Sequence, residues 1–229
     1  MHVMEVSELH DLDLTPAEAR RLQDDLAPRI EPGPPLDPSK VRYVAGADVS
    51  TENEMGYAAV VVLSFPDLEV VEVRGAEAAL TFPYVSGLLA FREIPSVAAA
   101  LREVRTPVDA VIFDSQGLAH PRRMGLASHL GLFLDVPSVG CAKTRLCGKH
   151  EEPPTQKGSA ADLVHGGEVV GRVLRTRTNV SPVYVSVGNY IDLPSATELT
   201  LACCTRYRLP EPTRQAHHAA NRLRRGEAL

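Results

Sequence analysis

Apolar and polar positions along this chain fall into blocks whose spacing changes, and each change marks an element. Thr15-Pro16-Ala17-Glu18 opens a helix, with Thr as N-cap, Pro at the first helical position and Glu completing a capping box. That helix is predicted to run to about Arg29 and to stop at the Pro/Gly-rich stretch 31–35. Three strand-like runs follow: Val41 to Ser50, Tyr57 to Phe65 and Leu68 to Ala76. Their short connections, one through Pro66-Asp67, predict an antiparallel meander.

Beyond Phe82-Pro83-Tyr84 the pattern shifts. A strand around Leu88 to Phe91 is expected to lead into a helix capped by Ser96 and covering 97–104. A strand Asp109 to Asp114, a helix from about Gly125 to Leu134 and a strand Val136 to Ala142 then alternate as parallel crossovers do. A loop with Gly148, Pro153, Pro154 and Gly158 precedes a hairpin of Glu168 to Arg175 and Pro182 to Val187. Ser195-Ala196-Thr197-Glu198 reads as a second capping box opening a helix to about Tyr207, and Pro210 and Pro212 precede a last helix, roughly Thr213 to Arg225. No repeat or linker divides the chain, so one α/β domain over 1–229 is expected, an antiparallel meander joined to a parallel βαβ half and flanked by helices. In such mixed sheets the ligand crevice lies at strand ends where the topology switches. Asp48 and Asp114 meet there if their strands are neighbours, which is the ribonuclease H-like arrangement.

Composition narrows the class. With 229 residues, 44% hydrophobic and 23% charged, the chain can bury a substantial core. No apolar run approaches a membrane span, and the start Met1 to Asp13 is acidic, so a cytoplasmic protein without a membrane partner is expected. Cys141, Cys147, Cys203 and Cys204 lack Cys-x-x-Cys spacing, and adjacent Cys203 and Cys204 would point about 100° apart on a helix, which suits reduced thiols. A net charge of −5 argues against coating nucleic acid by charge alone. Even so, six arginines (206, 208, 214, 222, 224, 225) face one acid, Glu211, near the C-terminus. That run reads either as phosphate contacts or as a solvated helix end.

The chemistry concentrates at element ends. Asp114 terminates the apolar run Ala110 to Phe113 and opens the polar loop Ser115 to Arg123, and a carboxylate there is costly unless it faces a cleft with a cation to bind. Asp48 and Glu93 occupy comparable places, and Lys143 follows another apolar run. Acids on several element ends with one Lys suggest metal-assisted phosphodiester chemistry. Each has a plainer alternative: a loop cap for Asp48, a partner of Arg92 for Glu93, solvation for Lys143, a core ring for Tyr84, a structural histidine for His120.

Six segments, in order from Tyr43 to about His217, carry a more specific signal. They are Val44 to Ser50, Pro83 to Glu93, Asp114 to Leu132, Gly140-Cys141-Ala142-Lys143, Val185-Ser186-Val187-Gly188 and Leu209 to Arg214. Together they resemble the endonuclease V family, nucleases that act beside deaminated bases, chiefly inosine, on a ribonuclease H-like fold. The resemblance implies that Asp48 and Asp114 are the principal metal ligands, with Glu93 as third acid and His217 as fourth member of the center. It implies Mg²⁺ as cofactor with Mn²⁺ as substitute, and Lys143 beside the scissile phosphate. Tyr84, in Pro83-Tyr84-Val85-Ser86, matches the wedge that fills the space left by an extruded base, and Gly87, Leu89, Ser115, His120 and Leu126 match its pocket.

The implied activity is metal-dependent hydrolysis of the second phosphodiester 3′ to deoxyinosine in DNA, by a monomer. Cleavage of inosine-containing RNA and a weakly catalytic lesion-binding module are the alternatives. Two positions depart from the family pattern. Ser115 stands in a usual Asp-Gly-x-Gly, where it is expected to disfavour a positive φ and narrow the pocket, and Asn189 replaces a usual His and is expected to be supporting structure.

Overall fold

The computed structural model describes residues 4–229. Helix α1, Pro16–Leu26, is closed at its N-terminus by the Thr15–Glu18 capping box, and a single 3-10 turn, Ala27–Arg29, continues it to the expected end. Strands β1 (Tyr43–Glu52), β2 (Met55–Ser64) and β3 (Val70–Ala79) pair antiparallel, as the short connections require. Helix α2 (Leu89–Arg102) leads to β4 (Ala110–Phe113), α3 (Leu126–Gly131) and β5 (Ser138–Ala142). Strands β6 (Ala160–His165), β7 (Glu168–Leu174) and β8 (Val183–Asn189) follow, then α4 (Leu193–Ala202) and α5 (Glu211–Arg224).

The strands form one mixed sheet in the order β3-β2-β1-β4-β5-β8-β7-β6, parallel across β1/β4 and β4/β5 and antiparallel elsewhere. This is the ribonuclease H-like sheet. Side chains of β2 alternate between two buried layers. Ala58, Val60 and Val62 pack with the α2 and α3 residues Ile94, Val97, Leu101, Ala127 and Leu130. Ala59, Val61 and Leu63 pack under Ala216, Ala219 and Ala220 of α5. Burial on both faces explains why β2 reads as a continuous apolar run.

Four expectations are corrected. The segment Leu88 to Phe91 is the start of α2, not a strand, and Ser96 is no cap: it lies inside that helix, its Oγ donating to the Glu93 carbonyl at 3.1 Å. Pro95 lies inside α2 and withholds the N–H that would reach Phe91. The apolar stripe Phe91, Ile94, Val97, Ala98, Leu101 nevertheless runs across it into the core. The cap of α4 is Asp192, whose Oδ1 accepts from the Ser195 amide at 2.8 Å, while Ser195 Oγ accepts from the Leu36 amide at 2.9 Å; α4 ends at Ala202. Helix α5 starts at Glu211, with Pro212 in its first turn, where a missing N–H is harmless. The supposed loop before β7 contains the strand β6, turned by Gly166 and Gly167 in left-handed conformations.

Candidate active site

The parallel register of β1 and β4 pairs Ala47 with Phe113, so the next residues, Asp48 and Asp114, sit side by side at the carboxyl end of the sheet. The Asp114 amide donates to the Ala47 carbonyl at 3.3 Å, fixing that adjacency. Helix α5 supplies a third group from the other layer. Its N-terminal turn lies directly on β1 at Gly46, where any Cβ would stand 2.1 Å from the Pro212 carbonyl carbon. Only glycine permits that approach, and with the Ala216/Ala219/Ala220 contact it aims His217 at Asp48, Nδ1 to Oδ2 at 2.7 Å. His218 points elsewhere on the helix. Lys143, just past β5, forms an ion pair with Asp114 Oδ2.

Burial and mutual repulsion raise the affinity of Asp48 and Glu93 for protons. The Asp48 carboxyl is raised first by burial, then by Asp114, and the His217 hydrogen bond offsets this only in part. Glu93, one turn into α2, is pushed up to about 8 by burial and then by Asp48 and Asp114, with Arg92 opposing. A cation at this end of the sheet would oppose both shifts and favour the ionised forms of Asp48 and Glu93. Among the described residues no three His, Cys, Asp or Glu side chains form a closed metal cage; Lys143 is paired with Asp114 and His217 with Asp48. The donor chemistry nevertheless fits a hard divalent cation, since three neighbouring carboxylates present only oxygen ligands and a surplus of negative charge.

A cleft of about 430 Å³ joins this end of the sheet to a second group of residues. Asp48, Asp114 and Lys143 line it together with Tyr84, Gly87, Leu89, Ser115, His120 and Leu126. Glu93 and His217 reach it only through Asp48 and Asp114. Tyr84 is 81% exposed, which removes the core-ring alternative, and Leu89 is 41% exposed, unusual for leucine. Gly87 holds φ +78°, and a Cβ there would press on Arg122 Nη2 and His120 Nε2. Its carbonyl takes three donors, Gln23 Nε2, His120 Nε2 and Arg122 Nη2, each at 3.0 Å.

His120 therefore carries its proton on Nε2, with Nδ1 accepting from the Arg122 amide at 3.1 Å. Burial and the Arg122 charge push it down to about 4, so it is a neutral strut of the pocket.

Four contributors escaped the sequence reading. Gln23 is fully buried on α1 between Ala19 and Leu26, and a polar residue at a core position of a helical stripe was the signal that marked it. Arg122 donates from Nε to Gln23 Oε1 at 2.6 Å, completing the clamp on Gly87. Asn221, one turn after His217, donates to its Nε2 at 3.1 Å. Arg208 donates to the Lys143 carbonyl at 2.7 Å. The last two are tertiary contacts that no local pattern announces.

A family model for endonuclease V matches residues 24–218. The chain belongs to the endonuclease V family. An endonuclease V of Dehalococcoides mccartyi is 48% identical over 222 residues, spanning 96% of this chain and 99% of that protein. The crystal structure of endonuclease V from Streptomyces avermitilis, 43% identical, superposes with a TM-score of 0.88 over 97% of this chain and 98% of that one. The Ciona intestinalis enzyme, in complex with a 24mer DNA containing an inosine followed by a ribo-adenosine, is 28% identical with a TM-score of 0.80 over 92% and 98%. The protein is thus a nuclease, a hydrolase. Among the described residues no helix is long and apolar enough to cross a membrane.

Against the endonuclease V pattern, the two departures resolve differently. Asn189 is supporting structure: its Oδ1 accepts from the Glu31 amide at 2.8 Å and its Nδ2 donates to the Gly131 carbonyl at 3.0 Å. Ser115 does not adopt a positive φ, so the expected backbone penalty is absent. Its Oγ is instead buried without a hydrogen-bond partner among the described residues, on the wall of the cleft.

Proposed function

We propose that this chain is a metal-dependent endonuclease that hydrolyses the second phosphodiester bond 3′ to deoxyinosine, in the repair of deaminated adenine in DNA. The observation that carries this reading is the single cleft in which the exposed Tyr84 and the Gly87 pocket adjoin Asp48, Asp114 and Lys143. An extruded base and the phosphate beyond it would occupy the two ends together. The Ciona relative's complex with a DNA containing an inosine supports an inosine-containing strand as the ligand.

Asp48, Asp114 and Glu93 would hold Mg²⁺, or Mn²⁺ in its place, and the ion when bound supplies Lewis acidity toward a phosphoryl oxygen. Tyr84 fills the gap in the stack, recovering stacking worth about 1–3 kcal/mol per base. Lys143 shifts from Asp114 to a phosphate oxygen, where a point charge stabilises the charge that develops. Water adds to phosphorus, the bond from phosphorus to the 3′ oxygen breaks, and the products carry 3′-hydroxyl and 5′-phosphate ends. His217, hydrogen-bonded to Asp48, holds that carboxylate in place.

The test is cleavage of matched strands carrying inosine or adenosine, as DNA and as RNA, with products sized at nucleotide resolution. Cutting of inosine DNA alone at the second bond supports the reading. Preference for the RNA strand would reassign the substrate, and binding without cutting would mark a lesion-binding module.

A further inference from the structure

The arginine-rich stretch near the C-terminus divides into tied and untied side chains. Arg208 is held by three backbone carbonyls, those of Lys143, Ser181 and Pro182. Arg214 is paired to Glu211 through both Nε and Nη2, at 2.9 and 2.6 Å. Arg224 is paired to Glu52, and Arg225 to Glu227. Arg206 is exposed and makes no ion pair among the described residues. Its guanidinium lies 5.7 Å from the ring centroid of Tyr207, and Arg214 lies 4.4 Å from the same centroid. Tyr207 is 42% exposed. A solvent-facing aromatic ring beside two guanidiniums, one of them uncommitted, has no role in the core.

Its position gives it one. Arg208, the next residue, donates to the Lys143 carbonyl at 2.7 Å, which ties this loop to the lysine at the cleft. Arg214 stands three residues before His217 and therefore on the same face of α5. The loop carrying Tyr207 is thus tied to Lys143 through Arg208, and its ring meets Arg214 on the helix that carries His217, yet Tyr207 lies outside the cleft that contains Tyr84. Arg145, exposed at the cleft rim beside Lys143, adds a further positive charge there.

We infer that Arg206 and Tyr207 form a second nucleic-acid subsite, which takes the strand on the side of the scissile bond away from the extruded base. A base stacks on Tyr207 and Arg206 pairs with a phosphate. Stacking is indifferent to sequence, because every base presents a π-face, so the subsite adds hold without adding specificity. Positive charge with an aromatic ring matches a single strand better than a protein surface. The inference rests on the proposed nuclease reading for the direction of the strand.

The experiment is anisotropy titration of a labelled, inosine-free DNA single strand with the full chain across a salt series. Tyr207→Ala is expected to weaken binding about tenfold, and Tyr207→Phe to retain it. Arg206→Gln is expected to reduce the slope of log affinity against log salt by about 0.7. Unchanged affinity and slope in Tyr207→Ala and Arg206→Gln would overturn the inference. Arg206 is on the surface, so its variant reports even if Tyr207→Ala folds poorly. Failure of the parent chain to cut inosine strands would refute the proposed function while leaving this readout intact.

Discussion

Asn221 donates to Nε2 of His217 at 3.1 Å, and the same amide reaches the His217 carbonyl at 2.9 Å. Ser50 Oγ in turn donates to Asn221 Oδ1 at 3.0 Å. With Nε2 accepting, the ring proton sits on Nδ1 and faces Asp48, so Asn221 sets the tautomer that orients a candidate ligand. Asn221→Ala is expected to lower kcat tenfold to a hundredfold with little change in KM for the strand. Equal loss of strand binding would show instead that the helix had moved.

The acids should leave a signature in stability. Glu93 titrates at about 8 in the fold against an ordinary 4.5. A raised carboxyl stabilises the fold fully below its unfolded value, and the contribution is lost as pH rises through the folded value. Without divalent metal, the parent's Tm should therefore fall relative to Glu93→Gln as pH climbs from about 4.5 to about 8, and level off above that. His120 and His129, both lowered by burial, are present in both proteins, so their titration cancels in the difference. Mg²⁺ should flatten the difference, since a bound cation favours the ionised carboxylate. Parallel Tm curves for the two proteins would contradict the burial argument.

Tyr84→Ala should reduce cutting of inosine in duplex more than in a single strand, because only the duplex requires a base pair to be opened and its gap filled. The loss on duplex is expected to correspond to about 1–3 kcal/mol. An 81% exposed ring has little core packing to lose, so unchanged Tm should accompany the effect.

Ser115→Gly should raise inosine-specific affinity or rate, by no more than about 1 kcal/mol, because it removes a hydroxyl buried without a partner. Glycine also frees the unbound loop, which opposes the gain. The check is the ratio of inosine to adenosine cleavage. A clear drop in that ratio with Tm intact would mean the hydroxyl contacts the base.

Much of this geometry was legible before any coordinates. The apolar runs ending at Asp48 and Asp114 required only that their strands be neighbours, and the Ala47–Phe113 pairing supplies that. Helix α2 is harder to read, because Pro95, a residue that usually ends a helix, lies inside a stripe that continues through it. Strand β6 buries only Leu163 fully and offers too little alternation to detect. The position of His217 depends on helix α5 resting on Gly46, and that of Lys143 on Arg208, both contacts between distant segments.

The central claim is that Asp48 and Asp114 hold a divalent cation that drives cleavage beside inosine. The most direct test is the single-turnover rate on an inosine strand in Mg²⁺, in Mn²⁺ and in chelator, for the parent, Asp48→Asn and Asp114→Asn, with strand binding measured alongside. Each amide keeps the shape of the acid and removes the ligand charge. Metal-dependent cutting by the parent is expected, with none in chelator and none by either variant while inosine binding persists. Near-parental Mg²⁺-dependent turnover in either variant, or undiminished cutting in chelator, would contradict it.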